Sequence, residues 1–213
     1  MKATFFSLIV IPLLFTTGFG QNIQNPFLLE SDHLDFNHSI FDSVLHCLVK
    51  REDLTQKKLE KIFYYIRDSI PFANDGSLKS SEALTKKKAL CYTKSMIFVS
   101  FCRKLGIPAV LSAERFYIKA DLPNADYQYH GIARILVNER WIYIDVVSNK
   151  DVWYNWWAKN KLVDFKSPVF SLVNNVVVDS SFVDDLRFED YSTNDVPQKW
   201  LDDMVRFIKT GKW

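Results

Sequence analysis

The sequence predicts an α+β fold, with helices first and an antiparallel sheet after them, and three observations lead to this prediction. Apolar residues recur at helical spacing between residues 36 and 69. Residues 91–105 would be apolar on most sides of a helix, which is typical of a helix buried at the centre of a domain. After residue 108, short segments rich in β-branched and aromatic residues are separated by polar turns. We therefore expect N-terminal helices, a central buried helix and a sheet packed against it.

Length and composition favour one domain with a single core. The chain has 213 residues, of which 48% are hydrophobic and 15% aromatic, and this argues against a disordered chain. Its 27 basic and 25 acidic residues nearly balance, so neither nucleic acid nor an anionic membrane surface is an expected partner. We predict a single domain over residues 21–213, with its core at about 54–147 and a C-terminal extension at 151–213.

Residues 1–20 have the pattern of a secretory signal peptide. Lys2 supplies a positive charge, an eleven-residue apolar run follows at 5–15, and Gly18 and Gly20 place small side chains at a cleavage site. The run is too short to span a bilayer comfortably, so we expect no stable membrane span after the signal is removed. The sequence thus predicts an exported protein, periplasmic or secreted, with an uncleaved membrane anchor as the alternative.

Two amphipathic helices are predicted ahead of the central one. The first covers residues 36–49 and the second covers 55–69, with Thr55 as a candidate N-cap. Pro71 ends the second helix, because the residue before a proline avoids helical geometry. The buried stripe of this helix is predicted to consist of Leu59, Ile62, Phe63 and Ile66.

The chain then passes through a polar loop into the central helix. Residues 71–80 are a loop by composition, residues 81–84 begin a short helix, and the lysine run at 86–88 is expected to be solvated. The central helix covers 91–105, and Gly106 marks its end.

Three strands are predicted after the central helix, at 109–118, 129–137 and 141–147, with Asn138-Glu139 as a short hairpin turn between the last two. The tail has weaker patterns: a packed segment with Trp153, Trp156 and Trp157, a strand at 169–178 and a helix at 196–210.

The chain has three cysteines, and an odd number in an exported protein leaves at least one thiol unpaired. Cys91 opens the central helix, where backbone N–H groups and the helix dipole favour a negative thiolate. Cys102 lies about 16 Å further along the same helix and is expected to be an inert core thiol. Cys47, in the middle of the first helix, is interpreted in the same way. A Cys47–Cys102 disulfide is the alternative.

A nucleophilic cysteine needs a base, and the base needs a group that orients it. His130 is the only histidine of the predicted β region. If the hairpin turn has two residues, Val137 pairs with Arg140, His130 stands opposite Val147, and Asp145 is its diagonal neighbour. A four-residue turn would place the two directly opposite, whereas a three-residue turn would put them on different faces. On spacing alone, a structural histidine is the alternative.

Several pieces of the sequence stand in a familiar order. They are Ile62-Phe63-Tyr64-Tyr65-Ile66-Arg67-Asp68-Ser69-Ile70-Pro71, Ser81-Glu82-Ala83-Leu84, Cys91-Tyr92-Thr93-Lys94-Ser95, Phe101-Cys102-Arg103-Lys104-Leu105-Gly106-Ile107-Pro108-Ala109, His130, and Trp141-Ile142-Tyr143-Ile144-Asp145. Together they make the stretch 54–147 resemble the transglutaminase-like superfamily, in the form of bacterial-type domain proteins, whose core is a papain-like thiol fold.

The resemblance implies acyl transfer through a thioester, at an amide or peptide bond of a protein or peptide substrate. Cys91 would be the nucleophile, His130 the base and acid, and Asp145 the residue that orients the histidine ring. Water as acceptor would make the protein an amidase or protease, and an amine would make it a transglutaminase. The resemblance implies no cofactor or metal, and the sequence has no metal-ligand spacing such as C-x-x-C. The alternative is a catalytically silent binding or scaffold domain of the cell envelope, and the oligomeric state stays open.

The chain departs from the family pattern at three places. Ala89 stands where the family usually has Gly, Gly131-Ile132 replaces Ala-Trp after the histidine, and Val146-Val147 replaces Pro-Thr or Ala-Thr after the aspartate. These departures affect the expected substrate and oxyanion geometry more than the catalytic set. The Cys91 N–H would be one oxyanion donor, and the second is open between Asn74, Tyr65 and a nearby tyrosine.

Overall fold

The computed structural model describes residues 25–118, 128–147, 169–173 and 183–189, and six residues of the tail, 198, 202, 205, 206, 209 and 210. A 3-10 helix, Pro26–Leu28, is followed by α1 (Ser39–Leu48), α2 (Thr55–Ser69), α3 (Ser80–Lys86) and α4 (Cys91–Lys104). The strands are β1 (Ala109–Ile118), β2 (Gln128–Val137), β3 (Arg140–Ile144) and β4 (Val183–Glu189). They form one antiparallel sheet in the order β3-β2-β1-β4, with α4 packed against β1 and β2. The α+β prediction is confirmed.

The first helix starts later than predicted, and the second has the predicted bounds but a different N-cap. Helix α1 begins at Ser39 rather than at residue 36, because His38 caps it by accepting the Ile40 N–H. In α2 the predicted N-cap is wrong: Leu54 holds the cap position, and Thr55 is the first helical residue. The predicted apolar stripe of α2 is confirmed, because all four of its side chains are fully buried. The lysine run at 86–88 is exposed, as predicted.

A buried serine–aspartate cluster ties the segment before α1 to α3 and α4. Asp35 accepts hydrogen bonds from the Ser80 hydroxyl, the Ser81 N–H and the Ser81 hydroxyl, so it caps the first turn of α3. Ser100 of α4 donates to Ser80 at 2.8 Å. Burial raises the pKa of Asp35, but these hydrogen bonds outweigh it, and the net pKa lies below the ordinary value. The cluster therefore holds α3 against α4 and against the segment that precedes α1.

Helix α4 is the centre of the domain, as its apolar pattern predicted. Every residue from Cys91 to Arg103 is buried, and the helix contacts α2, α3, β1 and β2. The sheet turns seven described residues towards this core: Ala109, Leu111 and Ala113 from β1, Ala133 and Ile135 from β2, and Ile142 and Ile144 from β3. After α4 the chain turns at Gly106, whose φ of +75° suits a residue without Cβ.

The hairpin between β2 and β3 has the two-residue turn on which the sequence argument depended. Asn138 and Glu139 both have positive φ, 50° and 62°, and this is the backbone of a type I′ turn. The register pairs Val137 with Arg140 and continues to Ala133 with Ile144. The predicted register is therefore confirmed, although β3 ends at Ile144 rather than at residue 147.

The thiols do not all lie where they were expected. All three cysteines are free, so no Cys47–Cys102 disulfide is present. Cys102 is fully buried, and burial raises its pKa strongly, as an inert core thiol requires. The prediction of a core position for Cys47 is wrong. Cys47 is exposed because the buried Phe41 and the partly buried Val44 and Leu48 define the inner side of α1.

Several predictions for the ends of the chain fall outside the described residues. These are the signal at 1–20, the tryptophan segment and most of the strand at 169–178, of which residues 169–173 are described and are not strand. Within that piece, Phe170 packs on Phe63 of α2 with ring centroids 5.6 Å apart. The six described residues of 198–210 are helical, as predicted, whereas β4 had no counterpart in the predictions. Within the described segments, no helix is long and apolar enough to cross a membrane.

Candidate active site

The three residues singled out in the sequence meet at the tip of α4. Cys91 is the first residue of that helix, His130 lies on β2, and Asp145 directly follows β3. His130 Nε2 and Asp145 Oδ1 are 3.1 Å apart, and the Cys91 side chain lies close enough to the His130 ring to raise the pKa of that ring. The exposed fractions are 5% for Cys91, 4% for His130 and 0% for Asp145. The imidazole therefore bridges a thiol and a carboxylate in a nearly water-free site.

Asp145, the residue directly after β3, lies within reach of His130 because of the hairpin register. The register of the hairpin, carried past Ile144, places residue 145 beside His130 as a diagonal neighbour. The Val147 N–H donates to Asp145 Oδ1 at 2.8 Å, and this hydrogen bond fixes the orientation of the carboxylate relative to its own backbone. Since the same oxygen lies beside His130 Nε2, the carboxylate holds the ring in one orientation.

Cys91 owes its position to a sharp change of backbone conformation. Leu90 is extended, with ψ 175°, and the helix starts at the next residue. Thr93 Oγ1 accepts the Leu90 N–H at 2.8 Å, and the Lys94 N–H donates to the Leu90 carbonyl at 2.8 Å. The Cys91 N–H belongs to the first turn of α4, whose N–H groups lack partners within the helix. These groups and the helix dipole favour negative charge at the sulfur and at an adjacent oxyanion.

The loop after α2 lies beside the segment that carries Cys91. Phe72 and Ala89 form a parallel bridge, in which the Ala89 N–H donates to the Pro71 carbonyl and the Ala73 N–H donates to the Ala89 carbonyl, both at 3.1 Å. Ala89 is fully buried in this bridge. Ala89, which replaces the glycine expected from the resemblance, is therefore an extended residue paired with the loop after α2.

Gly131, another departure from the family pattern, lets β2 approach the first turn of α4 closely. A Cβ atom at residue 131 would lie 2.7 Å from Tyr92 Cδ1 and 3.0 Å from both Cα and N of Tyr92. Ser95 holds the same contact together by donating its hydroxyl to the Gly131 carbonyl at 2.9 Å. Because Gly131 follows His130 and Tyr92 follows Cys91, this contact sets the distance between the strand and the thiol.

We expect the Gly131→Ala variant to slow the acylation of Cys91 by p-nitrophenyl acetate by about 10²-fold, because a displacement on the order of 1 Å between reacting groups has effects of this size. The added methyl group would force β2 away from α4 and separate His130 from Cys91. Overpacking of this kind also destabilises a domain, typically by about 1–3 kcal/mol. The activity is measured as the rate of Cys91 acylation, and the stability by urea denaturation.

A second variant distinguishes a backbone clash from a side-chain clash. Two of the three close contacts of Gly131 are with backbone atoms of Tyr92. Adding Tyr92→Ala to the Gly131→Ala variant should therefore not restore activity. Wild-type activity and an unchanged midpoint of unfolding in Gly131→Ala would contradict this account of the contact.

The neighbours of the His130 ring determine its charge. Burial alone would lower the pKa of His130, but the charge of Asp145, the hydrogen bond to it, and the hydrogen bond and charge of Cys91 outweigh burial. The pKa of His130 is consequently raised well above 6.5. Imidazolium is therefore the favoured form of His130 at neutral pH, paired with the carboxylate on one side and with the sulfur on the other.

Lys94, one turn after Cys91 on α4, is a site neighbour that the sequence reasoning missed. Its side chain is fully buried, and its Nζ donates to the Arg67 carbonyl at 3.2 Å. Burial lowers the pKa of Lys94 to about 8, against the raising effect of the charges of Asp145 and Asp68. The sequence did carry a signal for this position, because a lysine in a helix that is apolar on most sides is an unusual residue among buried neighbours.

Among the described residues, no group of three or more His, Cys, Asp or Glu side chains is placed to hold a metal ion. The geometry of the site is that of a thiol paired with an imidazole, and such a pair can take part in nucleophilic chemistry at a carbonyl carbon.

Comparison with known proteins agrees with the resemblance noted in the sequence. Residues 44–146 match the family model described as the transglutaminase-like superfamily. No curated protein matches the chain. Among solved structures, the chain is similar to a candidate cysteine protease from Cytophaga hutchinsonii, at 15% sequence identity and a TM-score of 0.47. The match covers 79% of this chain and 57% of that one, so the chain spans little more than half the length of that solved protein. The region 44–146, a little under half of the chain, thus matches the transglutaminase-like superfamily.

Proposed function

We propose that this chain is a cysteine-dependent acyl-transfer enzyme that acts on amide or peptide bonds of a protein or peptide substrate, with Cys91, His130 and Asp145 as its catalytic residues. The observation that carries the proposal is the position of the His130 ring, which is hydrogen-bonded to the Asp145 carboxylate and lies close enough to the Cys91 thiol for the thiol to raise its pKa. A histidine with a merely structural role needs a partner for its ring nitrogens, but it does not need a thiol at a helix N-terminus as that partner.

The proposed reaction follows from this arrangement. Cys91 Sγ attacks the carbonyl carbon of the amide, and the C=O π electrons move onto the oxygen to give a tetrahedral oxyanion. The C–N bond then breaks, the His130 imidazolium gives its proton to the departing amine, and a thioester remains on Cys91. His130, now neutral, takes a proton from the incoming acceptor, which attacks the thioester and releases Cys91. Asp145 keeps the ring aligned and favours its charged form through both steps.

The acceptor decides between two activities of this one site. If water attacks the thioester, the product is a carboxylate and the enzyme is an amidase or protease. If an amine attacks, a new amide forms and the enzyme is a transglutaminase. The proposed location is outside the cytoplasm, because residues 1–20 have the pattern of a secretory signal.

Selective alkylation tests whether Cys91 is a nucleophile. The three thiols provide internal references, because Cys47 is exposed and Cys102 is fully buried. Near neutral pH, iodoacetamide should modify Cys91 far faster than Cys47, although Cys91 is much less accessible, and Cys102 should stay unmodified. Peptide mass spectrometry after timed quenching gives the three rates. Equal rates at Cys91 and Cys47 would instead favour a catalytically silent binding domain.

The acceptor is identified by incubating the protein with a peptide library, with and without an added primary amine. Cleaved peptides or glutamine-to-glutamate conversion would indicate hydrolysis, and amine incorporation would indicate transglutaminase activity. The Cys91→Ala variant is the matched control, because it removes only the sulfur and should give none of these products.

A further inference from the structure

The second oxyanion donor was left open by the sequence, and the loop after α2 offers one. The question depends on the proposed acyl transfer, because only a reaction with a tetrahedral intermediate needs such donors. The Cys91 N–H, in the first turn of α4, supplies one hydrogen bond to the oxyanion. A second donor has to come from an element that lies beside residue 91 and is open to the substrate.

The parallel bridge between Phe72 and Ala89 brings Asn74 to this position. The Ala73 N–H donates to the Ala89 carbonyl at 3.1 Å, so the two segments advance in the same direction from the bridge. Residues on parallel neighbours keep step at about 3.3 Å per residue, and the segments lie about 4.8 Å apart. Carried two residues beyond the bridge, this register puts Asn74 opposite Cys91.

The side chain of Asn74 is fixed in a way that leaves its amide N–H groups available. Asn74 Oδ1 accepts the Gly76 N–H at 3.1 Å, and Gly76 has the positive φ, +69°, that such a tight turn uses. Lys86 anchors the loop by donating to the Asp75 carbonyl at 2.9 Å and to the Ser77 hydroxyl at 3.0 Å. Asn74 itself is exposed, so an incoming carbonyl group can reach it.

Tyr65, the other named candidate, is less accessible than Asn74. Burial is the main cause that raises the pKa of its hydroxyl, with a further contribution from the charge of Cys47. Tyr65 is only partly exposed, in the middle of α2. Of these two residues, only Asn74 lies on the loop that pairs with the segment before Cys91.

We propose that Asn74 is a catalytic residue of the acyl transfer, with its Nδ2–H donating to the oxyanion together with the Cys91 N–H. Its carboxamide oxygen holds the loop turn, and its nitrogen contacts the reacting carbonyl oxygen. The amide group is neutral, so it can stabilise the oxyanion without changing the charge beside His130.

Two substitutions at residue 74 separate the proposed role from a role in the turn. Asn74→Ala removes both the turn acceptor and the donor, whereas Asn74→Ser keeps an oxygen that can accept the Gly76 N–H but is too short to reach the oxyanion. Both variants should acylate Cys91 with p-nitrophenyl acetate about 10²- to 10³-fold more slowly than the wild type. Wild-type acylation in Asn74→Ser would overturn the proposal, because the turn alone would then explain the residue.

Alkylation by iodoacetamide distinguishes the failure of this proposal from the failure of the proposed function. Displacement of iodide occurs at a saturated carbon and forms no oxyanion, so both variants should be alkylated at Cys91 as fast as the wild type. Slow alkylation of the wild type would sink the proposed function itself. Fast alkylation of all three proteins together with unchanged acylation would sink the role of Asn74 alone.

Discussion

The His130→Gln variant is expected to acylate Cys91 about 10⁴-fold more slowly than the wild type, since removing a general acid–base typically has effects of up to this size. Glutamine keeps a polar side chain in the buried space of the ring, but it carries no proton that it can exchange near neutral pH. It also cannot pair a positive charge with the Cys91 sulfur. Acylation by p-nitrophenyl acetate and alkylation by iodoacetamide should therefore both slow down.

The same variant should be less stable by about 3–5 kcal/mol, the usual penalty for leaving one member of a buried ion pair without its partner. Asp145 is fully buried, and the imidazolium of His130 lies 3.1 Å from one of its oxygens. Urea denaturation measures the change in the free energy of unfolding. Adding Asp145→Asn to His130→Gln removes the stranded charge, so the double variant should recover most of the stability and none of the activity. Equal stabilities of the single and double variants would contradict the ion pair.

Local signals in the sequence were sufficient to place Cys91 at a helix start and to allow His130 and Asp145 to be neighbours, whereas the association of all three came from the resemblance to a known family. A helix that begins at Cys91 follows from the apolar run after it, and the two-residue turn at Asn138-Glu139 fixes the register of the hairpin. The meeting of His130 and Asp145 is a consequence of that register, which depends only on residues close in sequence. These parts of the site could therefore be predicted without knowledge of the tertiary contacts.

The parts that the sequence did not predict depend on contacts between distant segments. The bridge that carries Asn74 joins residues 72 and 89, and no local pattern in the sequence indicates it. The approach of Gly131 to Tyr92 joins a strand to a helix, and in the sequence Gly131 was visible only as a departure from the family pattern. Lys94 is buried because other elements pack around α4, and the residue type alone would predict an exposed side chain. Strand β4 pairs with β1 from far along the chain.

The Asp145→Asn variant is expected to lower the pKa of His130. In the wild type, burial lowers this pKa, and the charge and hydrogen bond of Asp145 are the first of the opposing effects, ahead of those of Cys91. Asparagine keeps the acceptor for the Val147 N–H but has no charge, so the lowering effect of burial would dominate. The pKa is measured by titrating the His130 ring proton by NMR. The pH at which acylation declines on the alkaline side should move down with it, because that decline reports loss of the imidazolium.

The pH dependence of stability should change in the same variant, with a sign that follows from the raised pKa. A histidine with a raised folded-state pKa stabilises the protein fully below its unfolded pKa of about 6.5, and this stabilisation is lost as the pH rises through the folded-state pKa. In Asp145→Asn this loss should disappear. Lys94 acts in the opposite direction, since its pKa is lowered to about 8 and stability rises with pH between that value and the ordinary 10.5. His130→Gln is the control that isolates the histidine, and an unchanged His130 pKa in Asp145→Asn would contradict the assignment of Asp145 as its orienting partner.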